Sequence, residues 1–184
     1  MDKKLILKAV GGLAALLIFA GLTGLLLREP VTLAGEWLIG NFGLAGIFVG
    51  VLITDTSPIP MTHEPVLFLG ITAGESFWRI LAAGASASVL AGPVGWSCGR
   101  VARSNPRFRN WLYNKFPKLV DFMARHGAKG VAIAALLPIP FAVSTWLAGM
   151  SHVRFGPLLA ASLLRIPKTA FYLWLLQVGW SVGG

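Results

Sequence analysis

Asp55, His63 and Glu64 surround the tripeptide Pro58-Ile59-Pro60, in a stretch (residues 41–75) that holds Asp55, Glu64 and Glu75 but no Lys or Arg. A second copy of the tripeptide, Pro138-Ile139-Pro140, is followed by Arg154, Arg165 and Lys168, and no acid occurs after Asp121. In an apolar setting these residue types have definite chemistry. A carboxyl group there can take up a proton, because desolvation disfavours its charged form. Arginine and lysine can hold a phosphate head group. Asp55, Glu64 and His63 are therefore proton or transport candidates, and Arg154, Arg165, Lys168 and Arg79 are phosphate-binding candidates. The competing reading is mutual neutralisation of acids and bases with no further role, and Glu75 fits an interfacial position better than a buried one. Ionisable groups at membrane depth are costly and usually face an interior cavity or pathway.

Other chemistries fit less well. Gly95-Trp96-Ser97-Cys98-Gly99 matches the nucleophile-elbow pattern, but that motif needs a strand–turn–helix context, and Ser97 ends an apolar helical run. His63, His126 and His152 show no spacing suited to metal ligation. No catalytic residue, metal or cofactor is expected.

The elements that must position these residues are membrane segments. The chain has 184 residues, 55% hydrophobic and 12% charged, and a formal charge of +9. A soluble domain carries about a quarter charged residues. The basic residues flank apolar runs instead of lining a soluble face, which excludes nucleic acid as a partner. The seven Trp suit an interfacial aromatic belt. Cys98 is the single cysteine, so no internal disulfide forms. Lys3, Lys4 and Lys8 precede an apolar run longer than a signal-peptide core, which predicts a retained anchor over residues 5–27.

Residues 31–41 are short and mixed. The apolar pieces Phe42–Ile53 and Val66–Ala73 are too short to cross and lie on either side of the Pro58/Pro60 break. They predict a re-entrant hairpin over residues 42–74. A small-residue span follows over 78–99, in which Ala91, Gly95 and Gly99 form a helix-packing stripe. Residues 100–129 carry eight basic residues and one acid, a net +7, and are placed in the cytoplasm. Within them Pro106 opens a basic amphipathic helix whose Phe108, Trp111, Leu112 and Phe116 would lie on the membrane, with Gly127 and Gly130 marking its end. A second hairpin over 130–150 breaks at Pro138 and Pro140, and a final span covers 155–180, interrupted by Arg165, Pro167 and Lys168.

These segments repeat. Each Pro-Ile-Pro is followed by Gly-x4-Arg, as Gly74 to Arg79 and Gly149 to Arg154, and then by a span with an internal proline, Pro93 or Pro167. The offsets between copies are 80, 75 and 74 residues. With the N-terminus inside, the two hairpin-plus-span units run in opposite directions. The fold class is thus an all-α membrane protein: an inverted-topology repeat of two re-entrant helical hairpins, each followed by a transmembrane helix, plus an N-terminal transmembrane helix. Such repeats place a site where their discontinuous elements meet. The partner of the basic residues is then either Asp55 and Glu64 or a lipid phosphate.

From Gly43 to Trp180 the chain resembles the DedA/VTT membrane proteins. The shared features are an acid before Pro-Ile-Pro and another after it, Leu67-x-Leu69-Gly70 with Ala73-Gly74, and a small-residue span ending Gly99-Arg100. Phe122-x-x-Arg125-His126-Gly127, Leu137-Pro138-Ile139-Pro140 and Trp146-Leu147-Ala148-Gly149-Met150 complete them. The resemblance implies opposed re-entrant hairpins in the cell inner membrane and movement of an anionic lipid, such as undecaprenyl phosphate or a phospholipid. It carries the family's first-hairpin acids onto Asp55 and Glu64, although Met61-Thr62-His63 widens the usual spacing. The arginines that many members place around the second proline break are missing, with Ala134-Ala135 before it and Phe141 after. Arg154, Arg165 or Lys168 would have to replace them. Expected partners are membrane lipids, protons and a second copy of the chain. The alternative is a non-transporting assembly or scaffold protein, with an intramembrane hydrolase ranked behind it.

Overall fold

The structure, a computed structural model, describes residues 3–59, 61–137, 139–151 and 153–182, with side chains from residue 11 onward except residue 13. Pro60 and Pro138, expected to break the hairpins, lie outside the described residues, as do the side chains of Lys3, Lys4 and Lys8. Every regular element among the described residues is a helix: α1 (Lys3–Leu26), α2 (Arg28–Thr56), α3 (Glu64–Thr72), α4 (Phe77–Ala102), α5 (Pro106–Lys115), α6 (Pro117–Leu136), α7 (Phe141–Met150), α8 (Phe155–Leu163) and α9 (Arg165–Val182). Among the described residues, Arg28–Thr56, Phe77–Ala102 and Phe155–Val182 are long and apolar enough to cross a membrane. The 26 residues of α4 reach about 39 Å, against about 30 Å of hydrocarbon. By contrast α3, with nine residues, and α7, with ten, are too short to cross.

The chain divides into two compact units, the first comprising Met1–Val51, His63–Ser86 and Thr169–Gly184, the second Leu52–Thr62 and Ala87–Lys168. In the first, α3 is held by close backbone approach. A Cβ on Gly70 would stand 2.7 Å from Ile47 Cδ1, and one on Gly84 would meet Leu67. Phe68 lies 5.8 Å from the Phe19 ring and 5.4 Å from the Trp180 ring. A Schellman turn ends the helix: Glu75 N–H donates to Gly70 C=O and Gly74 N–H to Ile71 C=O, with Gly74 at φ 75°.

In the second unit the stripe on α4 packs as its spacing predicts. Ala91 is fully buried, Gly95 faces Thr145 of α7 and Gly99 faces the Trp146 carbonyl. Gly149 on α7 answers by facing the Trp96 carbonyl. Backbones this close gain van der Waals contact that larger residues would forbid.

Four expectations change. The mixed residues 31–41 are helical and join the first apolar piece in α2, across a kink at Gly43 (φ 56°, ψ −151°). No proline interrupts that stretch, and the glycine takes the backbone values that other residues avoid. The basic segment is not one helix on the lipid surface: α5 stops at Lys115 because Pro117, lacking an N–H, starts α6. Its apolar face packs inward, with Leu112 fully buried and Phe108 5.1 Å from the Trp146 ring. Gly127 is a second kink (φ 52°), whereas Gly130 sits buried inside α6 and ends nothing. Finally, Gly74 and Gly149 align in sequence but differ in structure, the first in a left-handed turn, the second inside a helix.

The last span divides at Leu164, where α8 ends and α9 begins. Pro167 has no N–H to offer the i−4 carbonyl, that of Leu163. Leu164 N–H turns to Ala161 C=O at 3.2 Å, a tighter closing turn.

Candidate functional site

The break after α2 delivers Asp55 into the last turn of that helix, where a negative charge opposes the helix dipole. Arg165 stands at the first residue of α9, where a positive charge is equally disfavoured. The two offset each other. Arg165 Nη2 donates to Asp55 Oδ2, and Ser88 Oγ of α4 donates to the same oxygen. Arg165 Nε donates in turn to Ser88 Oγ at 2.7 Å, closing a three-residue ring of polar contacts. All are buried: Asp55 is 5% exposed, Arg165 3% and Ser88 0%. The guanidinium carbon also lies 4.7 Å above the Phe141 ring, a cation–π contact that matters more when desolvated.

The same unit satisfies the carbonyls that two broken helices leave open. Trp146 Nε1 donates to the Thr56 carbonyl at 2.7 Å. Lys168 Nζ donates to the Leu137 carbonyl at 2.9 Å. The end of α2 and the second proline break are therefore each held by a long side chain from elsewhere in the second unit.

His63 and Glu64 belong to the first unit, at the start of α3. His63 is 3% exposed. Glu64 occupies the first helical position, where a carboxylate is favoured by the dipole. Its Oε2 is buried and has no hydrogen-bond partner among the described residues. Arg79 pairs with Glu75 at 2.9 Å on α4's first turn and stays exposed. Arg154 is exposed at the N-cap of α8. Pro58 and Pro140 flank their breaks, Pro140 as the N-cap of α7.

The structure thus joins Asp55 to Arg165 and sets Arg79 and Arg154 apart from that pair. Ser88 carries no signal in the sequence, since nothing distinguishes it from Ser86 in a small-residue helix. Ser97 is exposed within continuous α4, away from any strand–turn–helix context. Among the described residues no three His, Cys, Asp or Glu side chains gather as metal ligands.

A comparison with protein families matches the VTT domain over residues 59–178. The chain belongs to the DedA/VTT family. With its long apolar helices, it is a multi-pass membrane protein of that family. The matched region contains Glu64, Ser88, Trp146, Arg154, Arg165 and Lys168, while Asp55 lies just before it. No curated protein and no solved structure matches the chain.

Proposed function

We propose that this protein moves an anionic lipid, such as undecaprenyl phosphate or a phospholipid, across the cell inner membrane, with proton coupling through the first-hairpin acids. The observation that carries this reading is the buried Asp55–Ser88–Arg165 ring. An ion pair in an apolar protein costs desolvation on both partners, and such groups mark pathways in membrane proteins. A guanidinium matches the geometry of phosphate oxygens, so a phosphate could compete with Asp55 for Arg165. Lys168, three residues on, adds a second cation of the same unit.

In this reading α3 and α7 are the second arms of two re-entrant hairpins in inverted orientation. Their short length supports it. The basic segment sits in the cytoplasm with the N-terminus. The deciding experiment reconstitutes the full chain into vesicles carrying labelled undecaprenyl phosphate or labelled phospholipids, with and without a pH gradient. Accelerated loss of label from one leaflet supports transport, and a rate equal to protein-free vesicles removes it. The second reading, an assembly or scaffold protein, draws on the same ring, since Asp55 and Arg165 neutralise one another. It predicts stable partner binding with no lipid movement.

A further inference from the structure

In the second unit, α7 is a short helix enclosed by its neighbours. Nine of its ten residues are buried, and it meets α4 through Gly95, Gly99 and its own Gly149. The Ser144 and Thr145 hydroxyls donate to carbonyls at the start of the helix, those of Pro140 and Ala142. Those donors therefore stay within the helix. Van der Waals packing of small residues against backbone tolerates a small slide of one helix on another.

Two aromatic side chains connect α7 to the buried ion pair. At its first residue, the buried Phe141 ring lies 4.7 Å from the Arg165 guanidinium carbon. Gly92 of α4 makes room for it: a Cβ there would press on Ser162 Oγ and stand 3.4 Å from Phe141 Cζ. Further along, Trp146 Nε1 donates to the Thr56 carbonyl at 2.7 Å. Thr56 follows Asp55 at the end of α2. Phe108 of α5 backs the indole, with ring centroids 5.1 Å apart. One short helix thus touches the arginine with one side chain and the backbone beside the aspartate with another.

We infer that α7 is a clamp on the Asp55–Arg165 pair, with Phe141 and Trp146 as its positioning residues. The Phe141 ring supports the guanidinium while its nitrogens donate to Asp55 and Ser88. The Trp146 indole fixes the end of α2, and with it the point from which the Asp55 carboxylate reaches. A cation–π contact and a carbonyl hydrogen bond both weaken over a small displacement. A slide of α7 therefore loosens both partners at once. Neither aromatic residue carries a charge, so the charge imbalance in the sequence does not mark them. Release of the pair as a step in lipid movement rests on the transport reading, whereas the clamp itself is a property of the second unit.

The test reads the Asp55 carboxyl directly. Purified full-length protein in detergent is treated with dicyclohexylcarbodiimide, an apolar reagent that modifies protonated carboxyl groups. Peptide mass spectrometry gives the rate at Asp55 relative to that at Glu64, an internal reference in the first unit. Phe141→Leu and Trp146→Phe should each raise this ratio about fivefold, the scale of one cation–π contact or one hydrogen bond. Phe141→Met also removes the ring and should give the same rise, so poor accumulation of the leucine variant does not block the test. Trp96→Phe removes another indole donor of the same unit, the one bonded to the Val153 carbonyl at 3.1 Å, and should leave the ratio unchanged. An unchanged ratio in either α7 variant overturns the inference. An equal rise in Trp96→Phe also overturns it, because the unit would then be loosened generally. The ratio is measured without lipid movement. The expected ratios beside inactive vesicles would keep the clamp and remove the transport reading, and unchanged ratios beside active vesicles would do the reverse.

Discussion

Arg165 and Asp55 stand 110 residues apart in the chain, yet the guanidinium of one donates to the carboxylate of the other in a buried site. Each sits at the helix end that disfavours its charge, so neither is comfortable alone. Ser88 completes the arrangement by donating to Asp55 and accepting from Arg165. The sequence leaves two partners open for the basic residues, a carboxylate or a lipid phosphate. Arg165 has the carboxylate in this structure, and a phosphate would have to compete with it.

That pairing makes a stability prediction. Asp55→Asn and Arg165→Gln should each destabilise the protein by about 3–5 kcal/mol, because each leaves a buried charge uncompensated. The double variant should recover much of the loss, giving a clear coupling in a double-mutant cycle read by thermal unfolding in detergent. Additive losses would mean that the two residues act separately. Ser88→Ala should cost about 1 kcal/mol, the net worth of an ordinary hydrogen bond or slightly more here.

The close backbone approaches in the second unit make a packing prediction. Gly149→Ala places a Cβ against the Trp96 carbonyl and Gly99→Ala one against the Trp146 carbonyl. Backbone cannot yield as a side-chain tip can, so each should cost about 1–3 kcal/mol. Gly156→Ala meets nothing within 4 Å and should leave the melting temperature unchanged or raise it slightly. Equal melting temperatures for all of them would discredit the α4–α7 packing.

How much of this is legible in the sequence depends on range. The four-residue spacing of Ala91, Gly95 and Gly99 is a local signal that marks a packing face of α4; that Gly95 and Gly99 meet α7 is seen only in the structure. Proline breaks are local too, and both interruptions fall where Pro58 and Pro140 stand. The Asp55–Ser88–Arg165 ring is only partly legible: charge imbalance shows that the cations need partners, but no pattern records a contact across 110 residues. The α5 face differs from expectation for another reason. Amphipathicity shows that Phe108 and Leu112 need a cover without saying whether lipid or protein supplies it, and here it is protein. The kinks at Gly43 and Gly127 have no proline to announce them, though both are glycines placed before a Pro-Ile-Pro break.

Those kinks can be tested by backbone strain alone. Gly43 has φ 56° and ψ −151°, and a Cβ added there would meet nothing within 4 Å. Gly43→Ala should therefore cost about 1–3 kcal/mol without any steric clash. Gly40→Ala, equally open but at ordinary helical geometry, should be neutral or stabilising. If the two variants melt together, α2 is not kinked at Gly43.

Orientation is checked by access. With Cys98 replaced by serine, Asn114→Cys lies on the exposed side of α5 beside Lys115. An impermeant thiol reagent should label it only in inverted membranes or opened cells, because the basic segment is expected inside. Labelling in sealed, right-side-out cells would reverse the orientation and with it the proposed inverted repeat.

Asp55 and Glu64, the acids on either side of the first Pro-Ile-Pro, should respond differently to neutralisation, because their surroundings differ. Asp55 is locked to Arg165 and Ser88, whereas Glu64 keeps a buried oxygen without a hydrogen-bond partner among the described residues. An amide at Glu64 preserves shape and removes the carboxyl group. Glu64→Gln should thus leave the stability within about 0.5 kcal/mol of the parent, since it breaks no buried pair. In vesicles it should flatten the dependence of lipid movement on an imposed pH gradient. Asp55→Asn should instead lose stability first, and its transport defect should be relieved in part by Arg165→Gln. A Glu64→Gln protein that transports with the parent's full pH dependence would take Glu64 out of the proton path, and Asp55 would then remain as the acid with a structural duty alone.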